Sequence, residues 1–507
     1  MGSISFLLPD PLPAAAQAML PYACFATAMG ASGTTDQAPV PSQVDISTDR
    51  LTISRSLSES GFLLIPWPVG QFGTLVASTS TLRETTEPYR LSIELARGKL
   101  NQVRSQAAEW KGIGLRHAPG FEESLSETTR LFGKALLAPP SSEADLLATR
   151  VLEQSFALAD TLVREFIGQM FDTRHHEEGL LDTRLSARIH RDPGDLREEY
   201  IRTFNAMQIG ICWRDIETEE ARYDWSGLDA AIALAKASDL PITAGPVIDL
   251  SPGMLPGWAA GWESDLPTLA AFMCDFLETV IGRYKGDIRR WVICGGFNQA
   301  DALGLDDDDR LRLAFRLFEA AAQVDPNLEL VLSIAQPWGD YLVNENHTIS
   351  PLTFPDDLMR AGLRLSALEV EIRAGATPRG SFPRDLLETA RAINLFGILQ
   401  LPLEIVLSLP SSSQPDPVAA AHGQSIWSPT TWGISPEGQA EWGASFAALA
   451  MCVPHVRAVT WDNWSDLEPH LTPSGGLIDV AGQPKPLLSR LRTLGSAHLR
   501  YTPRGLE

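Results

Sequence analysis

Long apolar runs, excess basic charge and paired cysteines are all scarce in this 507-residue chain, and each shortage removes a class of function. No window holds the ~18 uninterrupted apolar residues that a membrane helix needs, so no membrane span is expected. Lys and Arg number 41 against 63 Asp and Glu, a formal charge of -22, and no window is rich in Lys or Arg. Such a surface repels polyphosphates, so no nucleic-acid partner is expected. Cys24, Cys212, Cys274, Cys294 and Cys452 include no C-x-x-C pair, and an odd number cannot be fully bridged. Free buried thiols in a reducing compartment follow. The N-terminus lacks Lys and Arg before Arg50, and prolines break its apolar run, which makes a poor signal peptide; a cytoplasmic location is the expectation. Also missing are a G-x-S-x-G elbow and a phosphate-cradling loop, since the glycines of CGGFNQ have no following lysine. His190, His347, His455 and His470 lack metal-site spacing, and the HHEE run at 175–178 points its side chains in different directions. No metal or cofactor is expected.

What is present has a clear order. Residues 1–40 are rich in Ala, Pro and Gly. QVDISTDRLTIS, GFLLIPWPVG, FGTLVAS and YRLSIEL then alternate apolar and polar residues between turn-formers, the signal of short strands. Two long helical patterns fill 121–172, split by Pro139-Pro140, and Ser142 with Asp145 has the spacing of a capping box. From residue 183 onward, eight apolar runs alternate with amphipathic helical stretches, at 184–189, 206–213, 240–249, 290–294, 328–334, 366–372, 401–409 and 457–461. The acidic run Asp306–Asp309 suits the first turn of one such helix. Eight β/α units over this span predict an α/β fold of the (β/α)8 TIM barrel type, whose chemistry sits at the C-terminal ends of the strands. The expected organisation is a β-rich module at 1–115, a helical linker at 116–182 and the barrel at 183–498.

Within the barrel, ICWRDIETEEARYDW, LPGW, GRYKGDIRRWVI, VDPNLELVL and VTWDNWSDLEPHLTPSGGLIDVAGQPKPLL resemble segments of glycoside hydrolase family 10, the β-1,4-xylanase family. The resemblance implies hydrolysis of O-glycosyl bonds in a β-linked polysaccharide such as xylan, and a polysaccharide or oligosaccharide as partner. The N-terminal module would sit where such enzymes often carry a carbohydrate-binding domain. Family members cleave with two glutamates about 5 Å apart. The acid/base position falls on Gly295 and Gly296, or with a shifted gap on Asn298 and Gln299, whose amides cannot donate the proton. The nucleophile signature falls on Val406, Leu407, Ser408 and Leu409. Sugar-contacting positions also depart: strand two offers Cys212, strand three Thr243, Ala244 and Gly245, and strand six Glu371 and Arg373.

Two readings of the barrel mouth stay open. Glu369, Glu371 and Arg373 lie at i, i+2 and i+4, hence on one strand face. They form either a relocated acid/base pair, completed by Asp249 or Asp462, or a salt-bridge cluster that fills the lumen. Tryptophan is the second signal, since 11 of 13 lie beyond residue 183 and many follow strands. Flat indoles suit apolar sugar faces, although barrel cores also bury Trp. Trp213, Trp338, Trp461 and Trp464, with Asn298, Gln299, Arg373 and Asn463, are the candidate substrate-binding residues. The long Ser/Pro-rich loop after strand seven, with Trp427 and Trp432, reads as a lid. Function is therefore expected to be either glycosidase action through a non-standard carboxylate site, or binding of glycan or a protein partner without cleavage.

Overall fold

Alternating burial along short segments builds two four-stranded sheets at the N-terminus. Strands β1 (Gly2–Leu7), β2 (Cys24–Thr27), β3 (Pro39–Val40), β4 (Ser42–Ile46), β5 (Arg50–Arg55), β6 (Gly61–Pro68), β7 (Thr74–Ser78) and β8 (Tyr89–Arg90) pair in the orders β4-β5-β1-β8 and β3-β2-β6-β7. Ile4, Phe6, Leu51 and Ile53 occupy the buried face of the first sheet at period two. The computed structural model describes residues 2–27, 38–56, 58–262, 265–299, 303–343, 347–375, 380–419 and 434–501.

YRLSIEL, expected as a strand, is one only at Tyr89–Arg90; a helix, Leu91–Gly112, begins at the next residue. Leu91, Leu95, Leu100, Val103, Ala107 and Trp110 are buried along it, and that helical spacing outweighs the short alternation of its first turn. Helices Phe121–Leu137 and Ser142–Glu178 flank Pro139-Pro140. The second is capped by Ser141, whose Oγ accepts the Ala144 N–H at 3.3 Å, one residue before the expected cap. Asp145 is turned instead to the Ser92 hydroxyl at 2.5 Å.

The remaining strands form one parallel barrel: β9 (Arg184–Ile189), β10 (Met207–Ile209), β11 (Ile242–Ala244) continued by β12 (Ile248–Asp249), β13 (Arg290–Gly295), β14 (Glu329–Ala335), β15 (Ala367–Arg373), β16 (Leu403–Ser408) and β17 (Val456–Trp461). Strand β17 pairs with β9, and β11 with both β10 and β13, so the sheet closes on itself. Counting β11 and β12 as one, eight strands alternate with helices, and the fold is the expected (β/α)8 barrel. Asp306 starts the helix Asp307–Val324 by accepting the Asp309 N–H at 2.8 Å, as the acidic run suggested.

Two hydrophobic cores share the helices between sheets and barrel. Leu91 to Leu100 pack with the sheets, whereas Val103, Ala107 and Trp110 of the same helix pack with the barrel. Helix Ser142–Glu178 divides likewise between Phe156 and Leu158. Near its end, buried Arg174 donates to the Met451 carbonyl at 2.7 Å and to Glu178 at 2.9 and 3.0 Å. All five cysteines are free and buried, and burial pushes the thiols of Cys212 and Cys452 up to about 12. Among the described residues no helix is long and apolar enough to cross a membrane.

Candidate active site

Side chains alternate along a strand, so residues 367, 369, 371 and 373 of β15 face the lumen together. The lumen is ionic at both ends. Low in the barrel, Arg290 binds Glu404 at 2.8 Å and Glu329 at 2.5 Å, while Arg184 also pairs with Glu404. Val292, Val331 and Ala367 form a small apolar layer, and Ser186 and Thr460 share a hydrogen bond at 2.9 Å.

At the C-terminal end, β9, β15 and the residue after β17 bring together two guanidiniums and three carboxyls. Arg373 holds Glu371 in a two-pronged contact, with Nη2 donating at 2.9 Å and Nη1 to the other oxygen, while its Nε donates to Asp462 at 2.7 Å. Arg188 donates to the second oxygen of Asp462 and reaches Glu369 at 3.4 Å. Gln208 on β10 lies 3.5 Å from the other oxygen of Glu369. Glu369, Glu371 and Asp462 are only 1%, 2% and 7% exposed. Asp249 ends β12 nearby, and one of its oxygens accepts the Ser251 N–H at 2.8 Å.

Charge divides unevenly among these carboxyls. Burial pushes Glu369 up to about 7, with Arg188 opposing and Glu371 adding to the rise. Burial likewise raises Glu371 against the pull of Arg373. Asp462 meets the same burial, but Arg373 and Arg188 together hold it down at about 2. Arg373 in turn is held well above its ordinary value despite burial, because Asp462 and Glu371 surround it.

Packing leaves little space for a side chain at Gly295 or Gly296, where the resemblance sets the acid. A Cβ on Gly295 would lie 2.7 Å from Pro246 Cγ and 3.2 Å from Asp249 Cγ. Gly296 has φ +69°, and a Cβ there would lie 3.0 Å from the Ser251 hydroxyl. The space for an acid is filled from β11–β12. On strand seven, Val406 and Ser408 share the face of Glu404, whereas Leu407 and Leu409 belong to the core between strands and helices.

The other candidates disperse. Asn298 is fully buried and pins the β13 loop to β14, its amide bonding both the O and N of Ala335 at 2.7 and 3.0 Å. Gln299 accepts from Gln336 at 2.5 Å. Trp213 stacks on Phe276 and donates to Glu217 at 2.7 Å. Trp461 donates to the Gly475 carbonyl at 2.7 Å, and Trp464 packs edge-on against Tyr200. These three indoles are core residues at 2% exposure or less, with no flat face offered to a groove. Asn463 is buried and donates to Ser465 O at 3.0 Å. Half-buried Trp338 lies beneath the Arg384 guanidinium, 4.6 Å from the ring centre, on the side facing the N-terminal sheets. Trp427 and Trp432 lie outside the described residues.

Sequence reasoning missed Arg188, Gln208 and the anchor beside the mouth. Arg184, Ser186 and Arg188 stand at alternate positions of one strand, a signal equal to that of β15. At the anchor, His470 meets Asp416 at 2.8 Å, and Asp416 also accepts the Ser474 N–H at 2.7 Å. Among the described residues, the mouth holds a cavity of about 30 Å³ lined by Arg188, Asp249, Asp462, Pro246, Met254 and His470. That is room for one or two waters. No group of three or more His, Cys, Asp or Glu among the described residues is arranged to hold a metal.

Fold and site together define a (β/α)8 barrel carrying a carboxylate–guanidinium cluster at the end where barrel enzymes place their chemistry. Comparison with known proteins connects this barrel to the xylanases. No family model matches the chain. Endo-1,4-beta-xylanase 3 of Hypocrea jecorina is 27% identical over 171 residues, 33% of this chain and 46% of that protein, so the chain spans about half the length of the curated relatives it matches. Solved structures similar to it include xylanase 10B from Thermotoga petrophila RKU-1 (15% identity, TM-score 0.45, covering 66% of this chain and 97% of the other). Another is xylanase B from Clostridium stercorarium F9 (16% identity, TM-score 0.44, covering 61% and 96%). The chain resembles family 10 xylanases.

Proposed function

We propose that this is a glycoside-hydrolase-like, carbohydrate-binding barrel for β-linked polysaccharide whose strand-six carboxylates do not cleave. The observation that carries the reading is the grip of Arg373 on both Glu371 and Asp462. A nucleophile needs a free carboxylate oxygen facing the sugar, and a general acid needs a proton within reach of the leaving oxygen. Glu371 and Asp462 spend their oxygens on guanidiniums, and Glu369, raised to about 7, lies deeper in the lumen at 1% exposure. The ligand class rests on the motif resemblance and on the xylanase relative.

A second reading, hydrolysis through these same groups, draws on the contrast between Glu369 near 7 and Asp462 near 2, the kind of division that acid and base roles require. One experiment separates the two. Reducing-end release and binding are measured on xylans, glucans and mannans for wild type and Glu371→Gln. Binding without release by either protein is the expected result. Release by wild type that Glu371→Gln abolishes, with binding intact, would establish hydrolysis instead.

A further inference from the structure

A cleft of about 470 Å³ lies away from the barrel mouth, between the N-terminal sheets, helix Leu91–Gly112 and helix Leu386–Phe396 of the barrel. Its size falls within the range of small-molecule sites. Gly98 sets its width: a Cβ there would lie 1.9 Å from the Ser78 carbonyl, so only glycine lets the helix lie this close to β7. Phe62, Leu64, Val76 and Leu395 give the cleft apolar walls. Hydroxyls of Ser78, Ser80, Thr81 and Ser105 and amides of Asn101, Gln102 and Gln106 give it uncharged hydrogen-bonding groups.

One of its polar groups is unspent. The buried indole N–H of Trp338 has no acceptor among the described residues, and Gln106, only 7% exposed, also lines the cleft. A polar group held out of water in this way is expected to meet a partner. The charges that line the cleft are largely spent on each other: Glu388 pairs with Arg391 at 3.2 Å and Arg384 with Asp340 at 2.9 Å. Glu109 makes no ion pair with a described residue, so the remaining charge is negative.

We propose that this cleft is a binding site for a short neutral saccharide, separate from the barrel mouth. Apolar walls and an indole suit the C–H faces of a pyranose, amides and hydroxyls suit its hydroxyl groups, and Glu109 disfavours acidic sugars. The assignment does not depend on how the mouth is read.

Calorimetry and ligand-observed NMR on the full chain test it, with xylotetraose, cellotetraose and mannotetraose as probes and a glucuronic-acid-substituted xylotetraose as the anionic contrast. At least one neutral probe is expected to bind in a component that weakens tenfold or more in Gln106→Leu and in Ser105→Trp and that survives Met254→Trp, which removes only binding at the mouth. Ser105 is exposed, so its substitution fills the cleft without touching a core. Three results would overturn the proposal: no neutral probe binding, affinity indifferent to both cleft substitutions, or tighter binding of the anionic probe. Loss of binding in Met254→Trp alone would move the saccharide to the mouth, leaving the proposed function standing and this site rejected.

Discussion

Arg373 carries two carboxylates, and its removal is the sharpest single test of the lumen. Arg373→Met leaves Glu371 and Asp462 buried with one guanidinium, Arg188, between them and Glu369. Breaking a buried ion network from one side costs about 3–5 kcal/mol, so Arg373→Met should lower unfolding stability by that amount in urea titration at pH 7. A loss below about 1 kcal/mol would show that the cluster is hydrated and open, which would reopen catalysis. Glu369 tests the same lumen with the opposite sign. Its folded value, about 7, stands above its unfolded one, so the folded state binds the extra proton between these values and wild type loses stability as pH rises through that window. Glu369→Gln, which keeps the protonated shape, should match wild type within about 1 kcal/mol at pH 5 and exceed it by up to about 3 kcal/mol at pH 8. The β15 face was legible because period two places its three charged residues together. Arg188 escaped notice because only closure of the barrel brings β9 opposite β15.

Elements decide what can stand at Gly295. All eight barrel strands were legible as apolar runs between amphipathic helices, but nothing in the run RRWVICGG says what fills the space beside its glycines. The answer comes from Pro246 and Asp249, some 50 residues earlier in sequence order, on the split third strand. Gly295→Glu should therefore not add reducing-end release, and should destabilise by about 1–3 kcal/mol through overpacking. Release gained by that variant would mean that Pro246 yields and makes room for the side chain. The strand-to-helix switch at Leu91 was illegible for a different reason: two or three alternating residues fit either period until the longer helical face is counted. Beside the mouth, the Asp416–His470 contact is a titratable anchor between the segment after β16 and the segment after β17. His470 is raised by Asp416 against burial, so its contribution is complete below about 6.5 and is lost as pH climbs through the folded value. Asp416 is lowered by His470 and the Ser474 N–H against burial, so its share is lost only in strong acid. His470→Gln should speed amide exchange across 411–419 at pH 6 and change it little at pH 9. Equal effects at both values would leave the pair without an electrostatic role.

At the scale of the whole molecule, the helices between sheets and barrel decide whether the chain unfolds in parts. Spacing alone predicted the helix that begins at Ser142, but not which part of its apolar stripe faces which neighbour. Each of the two long helices changes partner midway, at Leu100–Val103 in one and Phe156–Leu158 in the other. Neither core can lose these helices without exposing the apolar face that the other half of the same helix presents, and a rigid helix transmits loss of one packing to the next. The saccharide cleft lies across the same boundary, with walls from β7, helix Leu91–Gly112 and the barrel helix Leu386–Phe396. Calorimetry of the full chain should therefore show one transition whose calorimetric and van't Hoff enthalpies agree. A neutral saccharide in the cleft should shift that transition upward as a unit. Two resolved transitions, with the saccharide moving only one, would instead make the helical segment a separable linker and place the ligand within a single folding unit.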